Sequence, residues 1–260
     1  MACCLTGEEK IMAEAILQLQ GVGKSYGGLR VCDDINLRLI PGELHALIGP
    51  NGAGKTTLLN LISGLLQVNT GTLHFQGINI TNRPIHARAQ LGMARSFQVT
   101  SILQGFTVQQ NIALAVQSTR GSSYRFWKRT ADDPLLQDPA GKVMAQMGLA
   151  DRASTPASSL SHGEQRLLEM GMALATEPDL LLLDEPMAGL GPGSSSNLAE
   201  LIDSLKGSVS ILLVEHDMQA VFSLADRITV LVQGRVIATG TPQQIRTNPA
   251  VQEAYLGTPC

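Results

Sequence analysis

The sequence predicts an α/β fold built on a mostly parallel sheet. Three observations predict it. Leu44–Ile48, residues 180–183 and Ser210–Val214 are short, nearly all-apolar runs, as expected of strands covered on both faces. Stretches with apolar residues at three- and four-residue spacing lie between them, so strands alternate with helices. At 260 residues the chain is long enough to bury a large core without disulfides or metals.

Each element follows from its own pattern. Residues 1–14 show no period and are read as a loose tail ahead of a domain spanning 15–260. Residues 16–20 (Ile-Leu-Gln-Leu-Gln) alternate apolar and polar, which predicts a half-buried strand. Gly27-Gly28 predicts a turn, and a second alternating strand at 35–40 stops at Pro41-Gly42. The strand 44–48 leads into a helix from Lys55 to about Leu65, with Leu58, Leu59, Ile62, Leu65 and Leu66 as its apolar face. Residues 72–75 continue this β-rich part. From about 88 to 153 the character changes. Helical periods at 108–116 and 142–147 predict a helical subdomain, interrupted by a polar, turn-rich stretch at 118–138 with Pro134 inside it and Pro139 directly after it. Alternation then resumes with a helix at 161–175, a strand at 180–184, a helix at 197–205, a strand at 210–214, a helix at 218–224 and strands at 228–232 and 235–238.

Composition narrows the function. Lys+Arg is 19 and Asp+Glu is 22, a net charge of −3, and this argues against a general nucleic-acid binder, which needs excess cations to neutralise phosphates. Cys3, Cys4, Cys32 and Cys260 show neither metal-ligand spacing nor the density of a disulfide scaffold, so a reducing cytoplasm is expected. No apolar run approaches the ~20 residues of a membrane span. The first ten residues lack the pattern of a secretory leader.

Gly49-Pro50-Asn51-Gly52-Ala53-Gly54-Lys55-Thr56 fits G-x-x-x-x-G-K-[ST], between a predicted buried strand and a predicted helix. Glycines let the backbone curl so that successive N–H groups face one anion, and the helix N-terminus adds partial positive charge. Lys55 reaches the β- and γ-phosphates of a bound nucleotide, and Thr56 suits Mg²⁺. The strand 180–183 emerges into Asp184-Glu185. Ligands in parallel sheets sit beyond the C-terminal strand ends, so Asp184 suits the metal and Glu185 suits polarising an attacking water.

Three further features separate the classes of phosphate-loop ATPase. Leu160-Ser161-His162-Gly163-Glu164 opens a helix ahead of Asp184. Ser161 and Glu164 also make a capping box, which accounts for those two residues but not for Gly163. Phe97-Gln98 lies between the phosphate loop and the helical period at 108–116. Val214-Glu215-His216-Asp217 ends the strand after Glu185, where His216 is a candidate γ-phosphate contact.

In this order the residues resemble the ATP-binding cassette family, over about residues 16–256. The resemblance implies a P-loop NTPase core with a mostly parallel sheet, an antiparallel β subdomain and a helical subdomain. It also implies ATP hydrolysis with Mg²⁺. Glu185, His216, Lys55 and Gln98 then carry catalysis. Tyr26 stacks on adenine. Gly49, Pro50, Asn51, Gly52, Ala53, Gly54, Lys55, Thr56 and Thr57, with Ser161 and Gly163 of a signature motif, bind nucleotide. Thr56, Gln98 and Asp184 face the metal. Two cassettes sandwich two ATPs, so a second ABC ATPase chain, in a homodimer or heterodimer, is implied.

Two transmembrane permease subunits are also implied, docking near Phe97, Gln98 and Phe106, with a periplasmic or extracellular substrate-binding protein acting indirectly and no nucleic acid. The cassette is then peripheral, on the cytoplasmic face of the inner (plasma) membrane. The segments 48–57, Ala94-Arg95-Ser96-Phe97-Gln98, 214–218 and the tail Gly240-Thr-Pro…Asn248-Pro…Ala254-Tyr-Leu-Gly257 look like importers of branched-chain or other hydrophobic amino acids. Urea or amide importers and the lipopolysaccharide-export cassette are alternatives. His162 and Glu164 depart from the family's Gly and Gln, and Gly191 stands where an Asp is common, so a weakly hydrolysing regulatory cassette is a further alternative. The basic-aromatic run 120–128 is read as a solvated loop rather than a lipid contact.

Overall fold

The computed structural model describes residues 15–96, 102–119 and 134–256. Its first strands are β1 (Leu17–Tyr26), β2 (Leu29–Leu39) and β3 (Leu44–Ile48). Helix α1 (Lys55–Ser63) precedes β4 (Thr70–Phe75), β5 (Ile78–Asn79), α2 (Ile85–Gln90) and β6 (Met93–Arg95). Helices α3 (Val108–Thr119), α4 (Pro134–Gln146) and α5 (His162–Leu174) lead to β7 (Leu180–Asp184) and α6 (Pro192–Ser204). The chain continues with β8 (Ser210–Val214), α7 (Met218–Leu224), β9 (Arg227–Val232), β10 (Arg235–Gly240), α8 (Pro242–Arg246) and α9 (Pro249–Leu256). The described residues form two compact units. One holds the chain up to Leu91 and from Leu205 onward, and the other is Gly92–Ser204.

In the first unit β1 and β2 form an antiparallel hairpin with Tyr26 opposite Leu29, and Gly27 takes the left-handed φ of 57° that the two-residue turn requires. β4 covers the other edge of β1, in the order β2-β1-β4-β5, and pairs Leu17 with Phe75 and Leu19 with Leu73. The apolar positions of the alternating runs turn to one side: Leu17, Leu19, Val22, Ile35, Leu37, Leu39, Leu73 and Phe75 are buried. β3 lies between β8 and β9, parallel to both, and β10 returns antiparallel to β9. All five residues of β3 and of β8 are buried, His45 and Ser210 included, as their nearly all-apolar runs predict. Gly64 closes α1 in the left-handed conformation (φ 84°). Arg88 caps the same helix end. Its guanidinium, 2% exposed, donates to the carbonyl oxygens of Leu61 and Ile62 at 2.6 Å and of Arg83 at 2.8 Å. Burial pulls its pKa down to about 10, which still leaves it charged at neutral pH.

In the second unit β6 pairs in parallel with β7, with Arg95 opposite Leu182. Ile112, Val116, Ala140, Met144, Met147 and Leu168 build the core of α3, α4 and α5. A side chain at Gly171 would come within 3.0 Å of Met147, so this glycine sets how closely α5 approaches the end of α4. Three sequence expectations differ from the structure here. The strand β6 lies inside the stretch read as helical; its three residues are too short to show a period. Pro134 and Pro139, read as turn residues, lie in α4. Pro suits the first helical position, and the buried stripe Leu136, Ala140, Met144 at four-residue spacing outweighs the amide lost at Pro139. Helix α6 begins at Pro192 rather than at 197, because Gly193-Ser194-Ser195-Ser196 carries no apolar signal and Pro192 supplies the start.

Candidate functional site

The phosphate loop is shaped by its own glycines and by the backbone around it. Gly52 and Gly54 take φ of 80° and 104°, and Ala53 N–H closes on the Pro50 carbonyl at 3.1 Å. A Cβ at Gly49 would lie 2.1 Å from the Leu231 carbonyl oxygen, and one at Gly54 would lie 2.6 Å from that of Val31. Both positions must therefore be glycine, and the loop is walled by the start of β2 and the end of β9. Gly234, in the β9–β10 turn, donates its N–H to the Ala53 carbonyl at 3.0 Å and accepts the Asp33 N–H at 2.8 Å. Helix α1 starts at this loop with no side-chain cap and no acidic residue in its first turn. Its first-turn amides are thus offered to an anion from outside the chain. The Lys55 side chain is buried and folds back, donating to the carbonyl oxygens of Gly49 at 2.7 Å and Pro50 at 3.1 Å. Thr56 is exposed beside it, and Thr57 is half-buried. The arrangement fits a phosphate chain, which would draw the ammonium off these carbonyls.

The second strand end is built from side chains. Asp184 closes β7 and is 2% exposed, and its Oδ2 accepts from Arg95 Nη2 at 3.0 Å. Glu185 follows with φ 48°, a left-handed conformation that costs a residue with a Cβ about 1–2 kcal/mol. That turn ends the strand, and the Ala188 N–H bonds the Glu185 carbonyl at 3.1 Å. Strain at a proposed base is a sign that position is being held against local preference.

The signature turn is capped by its own residues. The Ser161 N–H and hydroxyl each donate to Glu164 Oε2 at 2.8 Å, the Glu164 N–H returns a bond to Ser161 Oγ at 3.3 Å, and Arg152 pairs with Glu164 Oε1 at 3.0 Å. The bonds from Ser161, with help from Arg152, hold the Glu164 carboxyl below its usual pKa. Gly163 sits in regular helix. A Cβ there would lie 3.3 Å from Ser194 Oγ, so packing against α6 explains part of the glycine. His162, where the family has Gly, approaches the turn after β7: a Cβ on Gly189 would lie 3.6 Å from its Nε2.

His216 stands at the C-terminal end of β8 with its side chain 60% exposed, and its N–H donates to the buried Glu215 carboxylate at 3.0 Å. Tyr26 is also exposed, at the end of β1 with the Lys24 ammonium 5.5 Å from its ring centre, which leaves a ring face for stacking. Phe97, Gln98 and the run 120–128 lie outside the described residues. Lys55, Thr56 and His216 fall in the first unit, and Asp184, Glu185, Ser161 and Gly163 in the second. Sequence reasoning missed Arg95, Arg152 and Glu215. Arg95 left a signal, a cation inside the short apolar strand ahead of Phe97-Gln98.

Residues 32–188 match the family model described as "ABC transporter". The chain belongs to the ABC transporter family. Residues 235–259 match a second model, described as "Branched-chain amino acid ATP-binding cassette transporter". The chain is 38% identical to the high-affinity branched-chain amino acid transport ATP-binding protein LivG of Escherichia coli (strain K12), over 95% of this chain and 99% of that protein. It is 36% identical to the corresponding BraF of Pseudomonas aeruginosa, with the same coverage. Among solved structures it is similar to the ADP conformation of MJ1267, an ATP-binding cassette of an ABC transporter, with a TM-score of 0.82 and 28% identity over 94% of this chain and 99% of that one. This ABC chain therefore has the α/β cassette fold, binds nucleotide and hydrolyses ATP. Among the described residues no helix is long and apolar enough to cross a membrane.

Proposed function

We propose that this ABC cassette drives import of branched-chain or other hydrophobic amino acids. It does so with a second ABC ATPase chain and two membrane-spanning permease subunits, at the cytoplasmic face of the membrane, and a substrate-binding protein on the far side delivers the cargo. The substrate class is supported by the tail at 235–259 together with full-length likeness to LivG and BraF. The chemistry rests on one observation: a glycine-shaped loop opens a helix that no side chain caps, with a buried lysine at its base.

The residues divide the work as follows. The backbone N–H groups of the 49–57 loop, Pro50 excepted since it carries none, hold the phosphates, and the Lys55 ammonium exchanges its loop carbonyls for phosphate oxygens. Tyr26 stacks on the adenine. Thr56, Asp184 and Gln98 would hold Mg²⁺. A hydroxyl and a single carboxylate suit an ion that keeps several waters, and the Asp184 carboxylate already accommodates a cation, the Arg95 guanidinium. When bound, the ion neutralises phosphate charge. Glu185 orients the attacking water and takes its proton, and His216 steadies the charge that develops on the γ-phosphate. Ser161 and Gly163 serve the triphosphate of the facing chain.

Deleting the gene in its host should abolish energy-dependent uptake of labelled leucine, isoleucine and valine, and re-expression of Lys55→Ala should not restore it. Intact uptake of all three, with loss of urea uptake instead, would remove the amino-acid reading while leaving the ATPase in place.

A further inference from the structure

The phosphate-site chemistry described above gives no task to Arg95, a largely buried cation in β6. Arg95, its side chain 8% exposed, donates to Asp184, whose side chain is fully buried. The ladder between the two strands produces the pair. Arg95 is in register with Leu182, and the Ser96 N–H bonds the Leu182 carbonyl at 3.0 Å. Leu182 and Asp184 share a face of β7, so the long Arg95 side chain reaches one step diagonally to the carboxylate. Two ions withdrawn from water need each other, yet apolar residues of similar size would stabilise the strand pair as well. Stability alone is thus a weak reason for this pair. Its place at the last residue of β7, directly before the strained turn at Glu185, gives a stronger one.

We propose that Arg95 is the resident counter-ion of the metal-binding carboxylate. Its guanidinium holds Asp184 Oδ2, and a Mg²⁺ ion bound with nucleotide would compete with it for that carboxylate. The inference rests on Asp184 being a metal ligand, as read above. Arg95 is then a positioning residue. It fixes the Asp184 side chain before nucleotide arrives and raises the Mg²⁺ concentration needed for tight nucleotide binding.

The test uses the full-length purified chain and a fluorescent ATP analogue. Mg²⁺ is titrated from an EDTA baseline, and the readouts are the Mg²⁺ midpoint for the gain in nucleotide affinity and the Tm without nucleotide. Arg95→Gln should lower the midpoint about ten-fold, the scale of one charge-assisted hydrogen bond removed from the competition. It should also lower the Tm of the nucleotide-free chain. Arg95→Lys, a point charge in place of a planar fork, should move the midpoint the same way by about three-fold, and it decides the matter if Arg95→Gln does not fold. An unmoved midpoint in every folded Arg95 variant, with only the Tm reduced, overturns the proposal. Asp184→Asn separates the two levels. If the Mg²⁺-dependent gain survives that change, Asp184 is not the metal ligand and the reading beneath the proposal falls with it. If the gain disappears there while Arg95 variants leave the midpoint in place, the proposal alone falls.

Discussion

Helices α1 and α5 begin at the two turns proposed to hold a triphosphate, and they begin in opposite ways. At α1 the cap is Gly54, with no side-chain bond and no acid in the first turn. At α5 the cap is Ser161, closed by Glu164, which is itself paired with Arg152. Any helix N-terminus attracts negative charge. The first helix leaves that charge to a ligand, and the second draws it from its own sequence. An anion meeting α5 must therefore displace or adjoin a carboxylate, whereas one meeting α1 displaces only a lysine's bonds to carbonyls.

The largest test of this contrast removes chemistry without touching either helix. Glu185→Gln should cut ATP turnover by about 10²–10⁴-fold while nucleotide binding at α1 persists, as measured by phosphate release beside equilibrium binding. Hydrolysis at the original rate would take the proton-accepting role from Glu185. Next, Gly49→Ala forces a methyl toward the Leu231 carbonyl, whereas Gly52→Ala meets open space and only its φ of 80° resists. Urea unfolding should show a loss of about 3 kcal/mol for the first and about 1 kcal/mol for the second. Equal losses would mean that the wall of the loop yields.

Glu164→Gln should weaken the start of α5 by about 0.5 kcal/mol, since the box keeps its geometry but loses the charge. It should at the same time favour ATP-dependent association of two cassettes, read by sedimentation. Association no stronger than in the parent chain would mean that Glu164 does not compete with the incoming phosphate. The smallest effect is on pH. Because the Glu164 pKa is lowered on folding, its contribution is complete above the ordinary value of 4.5 and is lost as pH falls through the lowered one. Protection of the amides at residues 162–165, taken relative to the intrinsic exchange rate at each pH, should fall in that window, and Glu164→Gln should remove that fall.

The same contrast explains what could be read in advance. The phosphate loop is encoded in backbone freedom and one lysine, and both follow from residue types at fixed spacing. The Ser161–Glu164 box was also legible, because capping is local. Pairings that depend on register were hidden. Nothing in Ala94-Arg95-Ser96 says that its neighbour is Leu182, so Arg95 could not be matched to Asp184. The left-handed turn at Glu185 was equally silent, since it is imposed on a residue that does not favour it. Helix boundaries failed where apolar spacing vanished, as at 193–196, or where proline misled, as at Pro139.

The brace formed by Val31, Leu231 and Gly234 has a consequence for synthesis. A ribosome makes the phosphate loop early and its outer wall late, so a nascent chain halted before Gly234 has a correctly spelled loop with no scaffold on one flank. The loop therefore depends on a strand made long after it, and a chain cut between β8 and β9 should spell the motif yet hold nucleotide poorly.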